Sequence, residues 1–362
     1  MNALSRNILK TIAFFGAGAG ILYLVYLNFN QSYQEQCRLD GIPPEQCNLL
    51  QKVLTDFAEA NYFWILLVFV AFILSNISRT VKWKMLLEPI GYKVNSTNAF
   101  LAIMLGYFAN LGLPRLGEVV RCGALSKYER IPMEKVMGSV FMDRVTDVAI
   151  MILIVGLTLI MQYGLLSDFL KENAEFALGP RGIVILVAAL IVLFLLVVFI
   201  FKALKKYSPA FADRLIAMGK GFIEGLRGIK KLKRPYWFVF HSFFIWIMYF
   251  LMTYLAFFAY EPTAHLGIAA ALMVYTLGAL GMLIPTPGGM GSFHYLAVIG
   301  LALYGILPAD GFSFANILFF SVQLGCSVTL GLLALILLPV LNKNKLKENP
   351  TGKEIVESKN AS

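Results

Sequence analysis

The chain has 362 residues, of which 59% are hydrophobic and only 14% are charged, and its mean hydropathy is +0.73. This composition excludes an ordinary soluble globular protein and is typical of a polytopic helical membrane protein. The net charge of +10 is spread over short loops between apolar runs, so it indicates loops that set membrane orientation, and we expect no nucleic-acid partner.

Eight apolar segments follow one another along the chain, and two of them are too long or too interrupted to form one helix. We therefore predict an all-α polytopic membrane protein with about six full spans and two opposed re-entrant hairpins. The predicted segments are roughly 10–29, 61–78, 97–127, 136–162, 181–203, 235–260, 266–306 and 313–341.

Proline and glycine interrupt two of these segments. The first is broken at 113–117 and the second at 285–291, where proline removes a backbone donor and glycine permits non-helical torsions. The return arm of the first hairpin has about ten residues, which rise about 15 Å, half of a hydrocarbon core. The arms of the second hairpin are longer, so two full spans joined by a glycine-rich turn are an alternative there.

The loop charges predict the orientation. Of the 31 Lys and Arg residues, 24 fall in one set of alternating stretches, which the positive-inside rule places in the cytoplasm. The prediction is a multi-pass protein of a bacterial inner (plasma) membrane, with both termini cytoplasmic. The two hairpins then enter from opposite faces, which is typical of an inverted-topology repeat with a site near the midplane. The repeat halves would be 10–162 and 181–341, within a single integral membrane domain, 1–341.

The polar stretches give further expectations. Residues 204–234 form a basic amphipathic segment on the inner leaflet or, as an alternative, an ordinary basic loop, and residues 342–362 form a disordered cytoplasmic tail. Cys37 and Cys47 lie in an outer loop and are expected to form a disulfide, whereas Cys122 and Cys326 are expected to pack in apolar helices. The Cys and His spacings indicate no metal site, and we expect no cofactor.

Six ionisable residues lie inside the predicted membrane segments. Each would cost about 2.5 to 3.5 kcal/mol at a bilayer centre, so they must pair or line a polar cavity. Their depths along adjacent helices predict the salt bridges Glu118–Arg144 and Arg121–Asp143, while Asp147 is placed to reach a guanidinium at the hairpin tip. The six residues are Arg115, Glu118, Arg121, Asp143, Arg144 and Asp147.

These charges have a structural and a functional interpretation. They either clamp the first hairpin to its neighbour or bind an anionic headgroup, for which the planar fork of arginine is suited. Arg115 is the strongest candidate ligand because it has no obvious partner. The second break is either a tight turn or a source of backbone amides and side-chain donors, namely Gly288, Gly289, Gly291, Ser292 and His294.

Three stretches, LGLPRLGEVVRCGAL, GSVFMDRVTDVAIMIL and IPTPGGMGSFHYL, resemble the lysylphosphatidylglycerol synthase transmembrane region, also called the flippase-like membrane family. The resemblance extends over about residues 10–341. At the position of His294 many family members carry an acidic residue, so no role of that carboxylate is transferred. The matching positions are Pro114, Gly117, Glu118 and Arg121; Asp143, Arg144 and Asp147; and Pro285, Pro287, Gly288, Gly289 and Gly291.

The resemblance implies the lipid-translocating part of such proteins without their soluble aminoacyl-transferase domain. We therefore expect a lipid translocase that moves an anionic or polyprenyl-linked lipid between leaflets, rather than an enzyme. Alternatives are a membrane-embedded lipid-modifying transferase, with Glu118 or Asp147 as the general base, and a secondary transporter of a small solute. Membrane lipids with anionic headgroups are the expected partners, with a homo-oligomer or an envelope-biogenesis partner as further possibilities.

Overall fold

The computed structural model describes residues 3–43, 45, 47–112, 116–165, 232–284 and 286–343. These residues are organised as a succession of helices. In chain order the helices are α1 (Ala3–Leu39), α2 (Leu49–Glu59), α3 (Tyr62–Leu87), α4 (Ser96–Gly112), α5 (Leu116–Glu129), α6 (Met133–Met161), α7 (Pro235–Phe257), α8 (Ile268–Leu283), α9 (Ser292–Ala302), α10 (Pro308–Phe320), a π-helical segment (Ser321–Val328) and α11 (Thr329–Leu341).

Four helical stretches in the described part of the chain are long and apolar enough to cross a membrane: Tyr62–Ile90, Met133–Met161, Pro235–Phe257 and Pro308–Leu341. They correspond to four of the predicted spans. The first predicted span, 10–29, lies within the longer helix α1. The predicted span 181–203, nearly all of the basic segment 204–234 and the tail from residue 344 lie outside the described residues. The number of full spans therefore stays a prediction.

The end of α1 is fastened to the start of α2. Cys37, in the last turn of α1, forms a disulfide with Cys47, as the sequence predicts, and their Cα atoms are 6.3 Å apart. Asn48 follows directly and caps α2, because its side-chain oxygen accepts hydrogen bonds from the backbone amides of Leu50 and Gln51. The loop between the two helices is thus held by a covalent bond and by a cap.

Helices α4 and α5 form the first hairpin, with the predicted break between them. The two helices approach so closely that a Cβ atom on Gly106 would lie 2.8 Å from the carbonyl oxygen of Gly117. Asn110 completes the contact by accepting a hydrogen bond of 2.8 Å from the backbone amide of Gly117. Glycine at these two positions lets the backbones meet, and the contact sets the position of α5 along α4.

Helices α8 and α9 form the second hairpin, and they also meet at glycines. A Cβ atom on Gly281 would lie 2.7 Å from the carbonyl oxygen of Ser292, and one on Gly278 would lie 2.8 Å from the ring of Phe293. The turn uses Gly288, Gly289 and Gly291, all of which have positive φ. Both interrupted segments are therefore helical hairpins, and their re-entrance into a membrane stays a prediction.

The turn of the second hairpin lies beside the end of the first. A Cβ atom on Gly288 would lie 3.1 Å from Cδ2 of Leu111, which is in the last turn of α4. Helix α1 lies against the same turn, since Gly18 packs directly on the ring of Pro287. The last turn of α4 and the turn of the second hairpin are thus in contact, whereas the entry of the two hairpins from opposite membrane faces stays a prediction.

By its internal contacts the chain divides into two units. The first comprises Met1–Asp143 and Tyr236–Ser362, and the second comprises Arg144–Pro235. A buried apolar core runs through the first unit and includes residues of α3, α4, α5, α7 and α8: Val68, Ala102, Leu125, Ala256 and Val274. The order of one helix, a hairpin and another helix occurs twice in the described residues, as α3 to α6 and as α7 to α11, whereas the repeat itself stays a prediction.

Candidate functional site

Arg79 and Lys82 follow the second predicted span, and the loop-charge rule assigns them to a cytoplasmic loop. The predicted span ends at residue 78, but α3 continues to Leu87, so Arg79 and Lys82 lie on a helix. Both are buried, with 3% and 0% of their surface exposed. A signal for this was present in the sequence, because Arg79, Lys82 and Trp83 continue the helical spacing past the predicted end.

The carboxylate of Asp143 gathers three cationic side chains. Its Oδ1 lies 2.9 Å from Nζ of Lys82, and its Oδ2 lies 2.9 Å from Nη1 of Arg79 and 3.4 Å from Nη2 of Arg121. The predicted Arg121–Asp143 pair is therefore present, but it is shared with two residues of α3. We call these four residues the Asp143 cluster.

Aromatic rings lie beside the three cations of the Asp143 cluster. Each of the three cations has an aromatic face beside it, which adds a cation–π attraction of about 0.5–2 kcal/mol. The pairs, with distances to the ring centroid, are Arg79 with Tyr249 (5.9 Å), Lys82 with Phe238 (5.4 Å) and Arg121 with Trp83 (5.1 Å). The indole nitrogen of Trp83 donates in turn a hydrogen bond of 2.9 Å to Oγ of Ser139, which orients the Trp83 ring. The cations are thus held between a carboxylate and aromatic rings.

The structure describes three of the four remaining charged residues that the sequence analysis singled out. In the second unit, Nη1 of Arg144 lies 3.2 Å from Oδ2 of Asp147, one turn further along α6. Glu118 lies on α5, one turn before Arg121. The Glu118–Arg144 salt bridge stays a prediction, and Arg115 lies outside the described residues.

The polar groups of the second hairpin turn are hydrogen bonded to one another. The hydroxyl of Ser292 donates to the carbonyl oxygen of Gly281 at 2.8 Å, and the amide of Gly291 donates to Nδ1 of His294 at 3.3 Å. The amide of Gly289 donates to the carbonyl oxygen of Thr286 at 3.2 Å. In this conformation these groups hold the turn, and their role as headgroup ligands stays a prediction.

A side chain that sequence reasoning did not single out connects this turn to the last membrane helix. Nε2 of Gln323 donates to the carbonyl oxygen of Gly288 at 3.4 Å. Gln323 lies in the π-helical segment between α10 and α11, and such segments occur frequently at functional sites. The signal in the sequence was a lone glutamine within an apolar run.

A second charged cluster joins α2 to the start of α10. Nζ of Lys52 lies 2.8 Å from both Asp56 and Asp310, and the hydroxyl of Tyr260 lies 3.0 Å from each carboxylate. Burial alone would lower the pKa of Lys52, but the hydrogen bonds and charges of Asp310 and Asp56 outweigh it and raise that pKa. Burial, followed by the same two charges, raises the pKa of Tyr260. At neutral pH the cluster therefore contains a charged lysine and a neutral tyrosine.

Comparison with known proteins identifies similar chains. Residues 49–331 match the family model described as the lysylphosphatidylglycerol synthase TM region. A UPF0104 membrane protein of Methanocaldococcus jannaschii is 26% identical over 274 residues, covering 72% of this chain and 80% of that protein. A UPF0104 membrane protein of Methanothermobacter thermautotrophicus is 25% identical over 248 residues, covering 64% of this chain and 72% of that protein. No solved structure matches the chain.

Proposed function

Because the chain belongs to the lysylphosphatidylglycerol synthase transmembrane-region family, we propose that this membrane protein is a lipid translocase, which moves an anionic or polyprenyl-linked lipid between leaflets. The observation that carries the proposal is the Asp143 cluster. Three cationic side chains are buried in a chain of membrane-spanning composition and converge on one carboxylate. The headgroup would bind at these cations while the acyl chains remain in the bilayer.

Structural stabilisation alone is a weak explanation for the Asp143 cluster. Removing charged groups from water costs several kcal/mol per ion, and well-packed apolar residues often hold helices together equally well or better. Arginine has a further property that apolar residues lack, because its planar guanidinium donates two parallel hydrogen bonds to a phosphate. Arg79 and Arg121 both have this chemistry, and they reach the same point from α3 and α5.

The two hairpins supply the path in this proposal. Leu111, in the last turn of α4, lies beside Gly288 in the turn of the second hairpin, and α5, which carries Arg121, is the return arm of the first hairpin. We propose that the protein lies in the plasma membrane with both termini in the cytoplasm. The first hairpin would enter from the cytoplasmic face and the second from the opposite face. A headgroup bound at the Asp143 cluster would then pass the hairpin tips on its way to the other leaflet.

The lipid that remains bound to gently extracted protein tests this proposal. Arg79→Lys and Arg121→Lys keep the charge but remove the bidentate fork, so each is expected to lower the amount of bound anionic lipid roughly tenfold. Native mass spectrometry of the purified proteins measures the bound species. Arg38→Lys is the matched control, because Arg38 is exposed at the end of α1 and pairs there with Glu35.

Two results would count against the assignment. Equal amounts of the same anionic lipid on the wild type and on both variants would show that the Asp143 cluster does not hold the headgroup. An equal loss on the Arg38→Lys control would show that the lipid responds to arginine content in general. The proposal requires the loss to be confined to the two cluster variants.

A further inference from the structure

The carboxylate of Asp143 contacts three cationic side chains. Both of its oxygens are engaged, one by an ammonium and the other by two guanidinium groups, at 2.9 to 3.4 Å. Three cationic donors from two different helices around two oxygens form a typical anion site. Asp143 itself is fully buried, with 0% of its surface exposed. The anion that now occupies this site therefore belongs to the protein.

We propose that a lipid phosphate and the Asp143 carboxylate exchange at this site, and that Asp143 takes up one proton when the phosphate binds. This inference rests on the proposed function and adds how binding is coupled to protons. No covalent bond to the lipid forms or breaks. A proton from the solvent bonds to a carboxylate oxygen of Asp143. Arg79 and Arg121 transfer their hydrogen bonds, and Lys82 its ionic contact, to the phosphate.

The physical reason is the cost of a buried charge. When the three cations turn to the phosphate, the Asp143 carboxylate loses three cationic contacts that stabilise its negative charge inside the protein. A buried carboxylate that loses cationic contacts shifts towards its neutral form, because its desolvation is then less fully compensated. A phosphodiester carries one negative charge, so its arrival together with one proton leaves the net charge of the site unchanged.

Other charged and titratable groups lie on the helices that carry or contact the Asp143 cluster, and the test must distinguish their titration from that of Asp143. His241 faces this region from α7, since its Nδ1 lies 2.8 Å from Oγ of Ser78, the residue before Arg79. The rest come from the elements that make up or continue the cluster: Arg79 and Lys82 on α3, Glu118 and Arg121 on α5, Tyr249 on α7, and Arg144 and Asp147, which follow Asp143 in sequence.

Calorimetric titration of the purified full chain with dihexanoyl phosphatidylglycerol tests the exchange. In two buffers of different ionisation enthalpy, the wild type is expected to take up about one proton per bound lipid. Its affinity is then expected to fall about tenfold for each unit of increase between about pH 5 and 8. Asp143→Asn imitates the protonated acid, so its binding is expected to involve no proton uptake and no such pH dependence. His241→Gln is the control and is expected to behave as the wild type.

The outcomes separate this inference from the proposed function. Binding to the wild type without proton uptake would overturn the exchange and leave lipid binding intact, whereas no binding at all would overturn the proposed function. Proton uptake that persists in Asp143→Asn would overturn the assignment to Asp143. If that variant does not fold, the two-buffer measurement on the wild type decides alone. Equal affinity for glycerophosphoglycerol would support exchange with a phosphate and count against a lipid as its source.

Discussion

Replacing Asp143 with asparagine is expected to lower the free energy of unfolding by about 3 to 5 kcal/mol, which is the usual cost of removing one partner from a buried ion pair. The substitution keeps the shape of the side chain but leaves Arg79, Lys82 and Arg121 without the carboxylate that all three contact. Because these cations come from α3 and α5, their repulsion is expected to loosen both helices. Denaturant titration of the detergent-solubilised protein measures the effect.

Glu134→Gln on the same helix is the matched control for this substitution. Glu134 lies in the first turn of α6 and is exposed, so the loss of its charge is expected to change the free energy of unfolding by less than about 0.5 kcal/mol. If Asp143→Asn were as stable as this control, the three cations would not depend on Asp143, and the structural role assigned to the carboxylate would be wrong.

Gly117→Ala is expected to destabilise the first hairpin by about 3 kcal/mol, at the upper end of the usual range for overpacking. A Cβ atom at this position would overlap the backbone carbonyl of Gly106 and lie 2.5 Å from Oδ1 of Asn110. Since a backbone carbonyl cannot move aside as a flexible side chain can, α5 would have to shift away from α4. Arg121 lies one turn further along α5, so the shift is also expected to weaken its contact with Asp143.

Gly123→Ala on the same helix is the matched control, and its expected effect has the opposite sign. A Cβ atom on Gly123 would meet nothing within 4 Å, and alanine favours a helix over glycine by about 1 kcal/mol. The two variants are compared by the same denaturant titration. Equal stability of the two proteins would contradict the close approach of α4 and α5 described here.

The hairpins were predictable from the sequence because their turns depend on local chemistry. Proline and glycine interrupt two apolar runs, and α4 ends at Gly112 while α9 begins at Ser292, close to the predicted breaks. The Arg121–Asp143 contact was also predictable, because counting depth along two adjacent helices places the two charges at similar levels. A sequence therefore shows where the backbone must leave a helix. It also shows which charges on adjacent helices lie at a similar depth.

The full composition of the Asp143 cluster was not predictable in the same way. Arg79 and Lys82 lie near the end of an apolar run, where the loop-charge rule counts every cation as a cytoplasmic one. Their burial depends on contacts with side chains distant in sequence, such as Asp143 and Tyr249, which is tertiary information. The same rule counts Lys52 only as an outer-loop charge, because Lys52 lies between the first two predicted spans. In the structure its ammonium contacts both Asp56 and Asp310. A charge count gives orientation but does not show which charges come together.

Movement of labelled phosphatidylglycerol across the membrane of reconstituted vesicles is the decisive test of the proposed lipid translocation. Fluorescent phosphatidylglycerol is placed in both leaflets, and a membrane-impermeant reductant then quenches the label that reaches the outer leaflet. We expect vesicles with the wild-type protein to lose fluorescence beyond the outer-leaflet fraction, and vesicles with Arg121→Lys to do so more slowly. Fluorescence that stops at the level of protein-free vesicles, while the folded wild-type protein is present, would contradict the account.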